Sequence, residues 1–184
     1  MTPYQEFIYH HRPRITGAVA IVLLFFSYPT LQSLLIGTVI VLLGAVGRTW
    51  ASGYIDKDQK LATCGPYAYT RNPLYVFNFT MFVGCCVMSA NIWVGLACMI
   101  SFLLIYSPVI RVEAQRMADY FGDDYHNWAL HVPLFFPRFT AFSSNDNRPY
   151  SFKLMFEHKE HHHWVWTVIG IGIFYALYFY RTMS

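Results

Sequence analysis

The sequence predicts an all-α, polytopic membrane protein with about five transmembrane helices, forming one domain over residues 1–184. Of the 184 residues, 55% are hydrophobic and only 12% are charged, whereas an ordinary soluble domain carries about twice that charged share. Residues 15–47 and 72–110 contain no Asp, Glu, Lys or Arg. Each run is long enough for a helical hairpin, because one crossing takes about 20 apolar residues. Composition therefore excludes a soluble enzyme and a disordered chain, and a net charge of +3 is too small to indicate a nucleic-acid partner.

The first uncharged run divides at Tyr28-Pro29-Thr30. Proline lacks a backbone N–H donor and disfavours helix in the residue before it. We therefore predict one helix over about residues 12–28 and a second over about residues 30–53. The first of these is short for a full crossing.

The second uncharged run divides at Ser89-Ala90-Asn91. This division predicts a third helix over about residues 73–88 and a fourth that starts near residue 92 and continues into the charged segment after Ile110. A later aromatic-rich stretch predicts an additional C-terminal membrane helix over about residues 163–180. Five crossings are therefore expected.

The positions of Lys and Arg predict the orientation. Under the five-helix count, twelve of the thirteen Lys and Arg residues fall on one side of the membrane, and Arg181 alone falls on the other. We therefore expect an integral membrane protein with a cytoplasmic N-terminus, in the bacterial inner membrane rather than the endoplasmic reticulum. The two hairpin tips on the far side carry no charge, so polar chemistry is expected in the cytoplasmic segments, residues 52–72 and 111–162.

The first cytoplasmic segment ends in the turn-rich sequence GPYAYTRNPLY, residues 65–75. Pro73 suits the first position of a helix, and Asn72 before it could accept from the free amides of the first turn as an N-cap. Taken alone, this pattern favours a helix cap flanked by interfacial tyrosines.

In the second cytoplasmic segment, Glu113 is the acidic residue nearest the apolar run. An ionisable group at that depth is costly unless it has a partner or a task, so Glu113 is a candidate ligand contact. On a regular helix Arg111 points about 200° away from Glu113. Arg116 shares the face of Glu113 and could neutralise it.

Together these residues carry a resemblance to a known family. The chain resembles the isoprenylcysteine carboxyl methyltransferases and their relatives, the phospholipid N-methyltransferases. The matching residues fall in one ordered series within residues 59–137: Gly65-Pro66-Tyr67, Arg71-Asn72-Pro73-Leu74-Tyr75, Glu113, Phe121-Gly122, Tyr125, Val132-Pro133 and Pro137.

The resemblance implies a membrane enzyme that binds S-adenosylmethionine in a cytoplasmic pocket built from loops and from the extension of helix four. It implies methyl transfer to a carboxylate, amine or thiol of a lipophilic or lipid substrate that enters from the bilayer. The only G-x-G sequence, Gly170-Ile171-Gly172, lies in the fifth apolar stretch and is expected to serve helix packing. By motif position, the implied cofactor contacts are Gln59, Lys60, Leu61, Ala62, Tyr67, Asn72, Pro73, Leu74, Tyr75 and Glu113.

Three positions depart from the family pattern. Asn72 replaces the usual histidine and cannot titrate. Ala114 replaces a second glutamate, and Val109 stands where the eukaryotic prenylcysteine enzymes have a substrate-binding arginine. We therefore assign Arg111 and Arg48 as the candidate catalytic-site groups for an acidic substrate.

Two other functions stay open on the sequence alone. One is an NADPH-dependent reductase related to sterol reductases, for which the chain offers only scattered cations. The other is a non-enzymatic membrane partner that keeps the scaffold. No metal is assigned, although His158 and His162 are four residues apart and could bind one from a single helical face; the simpler interpretation is a polar collar before helix five.

Overall fold

The computed structural model describes residues 3–56 and 60–183. Within these residues the chain forms seven α-helices, one 3₁₀ turn and no named β-strand, so the predicted all-α class is confirmed. The α-helices are α1 (Pro3–Phe25), α2 (Leu31–Ser52), α3 (Pro73–Ser89), α4 (Ile92–Phe121), α5 (Asp123–Ala129), α6 (Phe152–Glu157) and α7 (Glu160–Met183), and the 3₁₀ turn is Gly65–Ala68.

Three helices of the described residues, α2, α4 and α7, are both long and apolar enough to cross a membrane. The helix α3 is apolar but has 17 residues. The helix α1 has 23 residues, but Glu6, Arg12 and Arg14 lie in its first half. The polytopic character is therefore confirmed, and crossing by α1 and α3 stays a prediction.

The predicted start of the first helix is wrong, because α1 begins at Pro3 and not near residue 12. The early turns of α1 carry apolar as well as charged side chains. Ile8 is 7% exposed and packs in one cluster with Ile105 and Val109 of α4. The additional length is stabilised by this packing, which the local charge pattern does not reveal.

The predicted chain reversals are confirmed at both hairpin tips. Thr30 caps α2 by accepting from the backbone N–H of Ser33 at 3.1 Å, and Asn91 caps α4 by accepting from that of Val94 at 3.3 Å. The two tips also bond to each other, since the Tyr28 N–H donates to the Ser89 carbonyl at 2.8 Å. Because both tips lie at one end of the bundle, the segments that link α2 to α3 and follow α4 lie at the other end.

The helices α2 and α3 pack at close range through glycines. A Cβ atom added at Gly84 of α3 would lie 2.8 Å from the carbonyl oxygen of Gly37, and one added at Gly44 of α2 would lie 2.8 Å from that of Phe77. These contacts involve backbone atoms, which cannot rotate away as a side chain can. Small residues at a helix interface permit this approach in membranes.

The outer faces of the helices expose large apolar side chains. Leu43 is 64% exposed, Ile92 70%, Trp93 78% and Trp166 70%. Exposing this much apolar surface to water is unfavourable in free energy. Contact of the same surface with lipid chains carries no such penalty. The outer surface is therefore that of a protein embedded in a bilayer.

The expectation that Gly170 and Gly172 serve helix packing is wrong. Apart from the adjoining residues and the backbone of α7 itself, no atom of the described residues lies within 4 Å of a Cβ atom built at either position. Instead, α7 packs through its larger side chains, with Phe174 buried and Ile171 and Tyr175 against the same cluster.

Gly84, which is at the contact between α2 and α3, and Gly170, which is at an open position, allow a test of that contact. The substitution Gly84→Ala forces a Cβ atom against the backbone of α2, and such overpacking typically costs about 1–3 kcal/mol. The matched control Gly170→Ala adds the same methyl group to an open position. We expect a lower melting temperature in detergent for Gly84→Ala and no loss for Gly170→Ala; equal melting temperatures would contradict the packing described.

Candidate active site

The turn before α3 is attached to the segment that follows α5 by backbone hydrogen bonds. The Arg71 N–H donates to the Pro133 carbonyl at 2.9 Å, and the Arg138 N–H donates to the Tyr69 carbonyl at 2.9 Å. The Thr70 hydroxyl adds a bond to the Phe135 carbonyl at 2.8 Å. The two segments in which the sequence predicts chemistry therefore form one unit.

Asn72 contributes to this attachment and does not cap α3 with its side chain. Its Nδ2 donates to the Leu134 carbonyl at 2.9 Å, and no cap bond from its side chain is found. The predicted capping bond is therefore wrong, because the amide is turned toward the neighbouring segment. Pro73 occupies the first turn of α3, as predicted.

Glu113 lies in a polar contact between three helices. Its Oε1 accepts from the Tyr75 hydroxyl of α3 at 2.7 Å and from Arg12 Nη1 of α1 at 3.3 Å. Arg12 Nη1 also donates to the Tyr75 hydroxyl at 3.0 Å. The side chains of Arg12 and Glu113 are 32% and 33% exposed. Two residues predicted to share a cofactor thus meet directly, at a position that a small molecule can reach.

The partner of Glu113 is therefore Arg12, and not Arg116 as the sequence predicted. Arg116 instead donates to the Tyr9 hydroxyl at 2.9 Å, and its guanidinium lies over the Tyr9 ring. Arg12 was missed because it is about a hundred residues from Glu113 in the chain. Only the packing of α1 on α4 reveals the pair.

The two arginines assigned to an acidic substrate do not contact Glu113. Arg111 is exposed. Arg48 binds the carboxylate of Glu160 through Nε at 3.1 Å and Nη2 at 3.2 Å, and its Nη1 donates to Asn78 Oδ1 at 2.5 Å. All three nitrogens of Arg48 are engaged, so its guanidinium joins α2, α3 and the start of α7.

The remaining predicted cofactor residues lie mainly in a second cluster. Leu61, Ala62 and Tyr67 are buried with Tyr125 and Trp128, and Leu74 packs against them. Lys60 pairs with Asp146 at 3.7 Å. Gln59 lies outside the described residues. The structure therefore places Tyr75 and Glu113 in one contact and most of the other predicted residues in a neighbouring core.

This core contains buried donors that have no partner in the described part of the chain. They are the Tyr67 hydroxyl, Arg71 Nε and Trp128 Nε1. Burial raises the pKa of the Tyr67 hydroxyl, so it stays protonated. Unpaired buried donors are rare in native proteins, and each is expected to find a ligand or water. A molecule rich in acceptor atoms fits this donor set.

Asp146 holds the later loop against the segment that links α2 to α3. Its carboxylate accepts from the Thr63 N–H at 3.2 Å and from Arg148 Nε at 2.9 Å, and Arg148 Nη2 reaches the Leu61 carbonyl at 2.9 Å. Although partial burial acts in the opposite direction, these bonds lower the pKa of the Asp146 carboxyl. The attachment therefore persists at neutral pH.

An open cavity of about 330 Å³ adjoins this loop, lined among others by Trp50, Cys64, Tyr69, Phe142 and Asn147. Its volume is at the lower end of the range for ligand pockets, about 300–1,000 Å³. The cavity is bounded by the end of α2, the 3₁₀ turn and residues 141–147.

His158 and His162 do not lie on one face of a single helix. Between α6 and α7 the chain turns at His158 and Lys159, where Lys159 has φ of 57°. The His158 ring bonds through Nδ1 to the Ser52 carbonyl at 3.1 Å. The placement of His158 and His162 on one helical face is therefore wrong.

Comparison with known proteins identifies the class. A sequence model of the family described as phospholipid methyltransferase matches residues 14–124. The chain therefore belongs to the phospholipid methyltransferase family of membrane proteins, and the resemblance stated from its motifs is confirmed. No solved structure shows a significant match.

Three curated relatives differ in how much of each chain aligns. The chain is 32% identical to the nickel-cobalt-cadmium resistance protein NccN of Alcaligenes xylosoxydans xylosoxydans, over 78% of this chain and 72% of that one. It is 36% identical to the cobalt-zinc-cadmium resistance protein CzcN of Cupriavidus metallidurans, over 59% and 51%. It is 32% identical to the protein-S-isoprenylcysteine O-methyltransferase of Schizosaccharomyces pombe, over 45% and 35%.

Because Arg48 is paired with Glu160 and Arg111 is exposed, we predict that their substitutions affect stability differently. The substitution Arg48→Met leaves the Glu160 carboxylate, which is 3% exposed, without its charged partner. Breaking a buried ion pair in this way typically costs about 3–5 kcal/mol. The exposed Arg111→Met is expected to change stability by no more than about 0.5 kcal/mol.

Thermal unfolding of both variants in the same detergent measures the difference. The double variant Arg48→Met/Glu160→Leu removes both charges and is expected to recover part of the loss. An Arg48→Met protein as stable as the parent would show that the contact with Glu160 contributes nothing to the position of α7.

Proposed function

We propose that the chain is an S-adenosylmethionine-dependent methyltransferase acting on a lipophilic or amphiphilic acceptor at the cytoplasmic face of the membrane. The observation that carries this proposal is the 2.7 Å contact between Tyr75 and Glu113. These residues come from two motifs 38 positions apart, and both motifs were assigned to the cofactor by family resemblance. Membership of the phospholipid methyltransferase family supports the same reaction.

The residues present fit this cofactor. Both bonds to Glu113 use Oε1, and within the described residues no hydrogen bond to Oε2 is found. A carboxylate oxygen at this position can accept from the α-ammonium or a ribose hydroxyl of S-adenosylmethionine. The aromatic faces of Tyr75 and Tyr106, whose ring centres are 5.7 Å apart, favour a neighbouring cation.

When bound, S-adenosylmethionine supplies a methyl group on a positively charged sulfur. The chain contributes position, since holding the acceptor's nucleophile in line with that methyl group replaces a bimolecular encounter. Asn72 binds the Leu134 carbonyl through its side-chain amide and has no group that can act as a base.

A lipophilic acceptor is supported by the surroundings of the site. The aromatic side chains of Tyr106, Phe102 and Phe82 continue from Tyr75 along α3 and α4 in successive ring contacts. They lead away from the charged end of the bundle toward the apolar interior. We propose that the acceptor's hydrocarbon part lies along this aromatic series.

The active site is proposed to face the cytoplasm. The distribution of Lys and Arg supports this orientation, and the contact of Arg181 Nη2 with the Phe25 carbonyl at 3.0 Å puts the exceptional cation at the far end of α1. Single cysteines at Asn91 and Asn145 in a cysteine-free background, probed on intact cells with an impermeant thiol reagent, test it. We expect labelling at Asn91 alone. Labelling at Asn145 would show that this position faces the outside of the cell and would contradict the proposed orientation.

A second candidate function is a non-enzymatic membrane partner. The observation that favours it is that NccN and CzcN are named for metal resistance and not for an enzymatic activity. The departures at Asn72 and Ala114 point in the same direction. A partner of this kind requires no S-adenosylmethionine, so equilibrium binding of the cofactor separates the two functions.

The direct test of the proposed function is a substitution at Glu113. Replacing the carboxylate by an amide in Glu113→Gln removes one charged hydrogen-bond partner, which costs about tenfold in affinity at a partly exposed site. The matched control is Glu157→Gln, since Glu157 is 53% exposed and pairs only with Lys153 among the contacts found.

Binding is measured with radiolabelled S-adenosylmethionine on protein purified in detergent, with thermal unfolding as the check on folding. We expect weaker binding for Glu113→Gln and parental binding for Glu157→Gln. Equal affinity in the two variants would remove Glu113 from the cofactor site, and no binding by the parent would support the non-enzymatic partner.

A further inference from the structure

Arg12 is the member of the Glu113 contact that neither the motifs nor the family match includes, since the matched residues begin at 14. Its guanidinium reaches Glu113 and Tyr75 through a single nitrogen, Nη1. Within the described residues, no hydrogen bond engages its Nε or Nη2. Two donor atoms of the planar guanidinium, like Oε2 of Glu113, therefore have no hydrogen-bond partner among the described residues.

We propose that Arg12 and Glu113 together hold the amino-acid end of the ligand, with Arg12 binding its α-carboxylate and Glu113 its α-ammonium. This inference rests on the proposed function, because the ligand is taken to be S-adenosylmethionine. The two unbonded donors of Arg12 match the two oxygens of a carboxylate, which arginine binds in a bidentate manner. The free oxygen of Glu113 supplies the acceptor that the adjacent ammonium needs.

The attachment of α1 to α4 does not depend on Arg12. The Tyr4 hydroxyl donates to the Leu104 carbonyl at 3.1 Å, and Thr16 and Tyr106 share a hydrogen bond of 3.3 Å. These contacts lie on either side of Arg12 along α1. A purely structural ion pair is therefore not required at this position.

The charges around Arg12 also suit an anionic group. Both the Arg12 and the Arg116 guanidinium lie over the ring of Tyr9, at 5.0 and 4.7 Å from its centre. Two guanidinium groups thus share the site with one carboxylate. The excess positive charge is available to a ligand's carboxylate.

The test compares two ligands that differ only in this carboxylate, S-adenosylmethionine and its decarboxylated form. Affinities for both are measured at equilibrium for the parent, Arg12→Met, Arg12→Lys and the control Arg14→Met, since Arg14 is exposed two residues along the same helix. The ratio of the two affinities within each protein cancels any general effect of the substitution on folding.

We expect the parent and Arg14→Met to bind S-adenosylmethionine about tenfold or more tightly than the decarboxylated form. In Arg12→Met this preference is lost, because affinity falls for the intact cofactor alone. Arg12→Lys keeps the charge but not the fork, so it is expected to show an intermediate preference.

A preference that persists unchanged in Arg12→Met would overturn this inference and leave the proposed function intact. The same holds if the parent binds both ligands equally. If the parent binds neither ligand, both the inference and the proposed function fail.

Discussion

The carboxylate of Glu113 lies three residues beyond the uncharged run that ends at Ile110, where an unpaired charge is costly. The chain meets this constraint by bringing three helices to one point. Tyr75 comes from the first turn of α3, and Arg12 comes from the middle of α1. The helix α1 extends to Pro3 and packs against α4 along its early turns, which places Arg12 within reach of Glu113. The packing of α1 on α4 thus brings Arg12 to this acidic group and completes the candidate site.

A second ion pair has a different role. Arg48 and Glu160 are more buried than Arg12 and Glu113, with side chains 13% and 3% exposed, and every nitrogen of Arg48 is engaged. A buried pair whose groups are fully satisfied specifies an arrangement and is poorly suited to exchange partners with a ligand. Arg12 and Glu113 are about one-third exposed and incompletely bonded. This contrast is why Arg12 and Glu113, and not Arg48 and Glu160, are proposed to bind the cofactor.

The sequence predicted most of the architecture because helix breaks in membrane segments have local causes. Pro29 and Asn91 mark chain reversals through backbone chemistry that acts within a few residues. The motifs assigned both Tyr75 and Glu113 to one predicted cofactor site, but they did not predict the direct hydrogen bond between them. The pairing of Arg12 and the packing of Gly84 against Gly37 could not be predicted, since both depend on which faces of distant helices meet. Asn72 shows a related limit: its position as the residue before α3 was correct, but its amide bonds to Leu134 and not to α3.

S-Adenosylmethionine is proposed to bind beside Tyr75 and Glu113. Irradiating the purified protein with the cofactor labelled in its methyl group, followed by peptide mapping, locates the site without a known acceptor. We expect label on peptides that contain Tyr75 or Tyr106, and we expect excess unlabelled S-adenosylmethionine, but not NADPH, to abolish it. Label confined to the cavity-lining residues 141–147 or to α7, or label displaced by NADPH, would contradict this proposal.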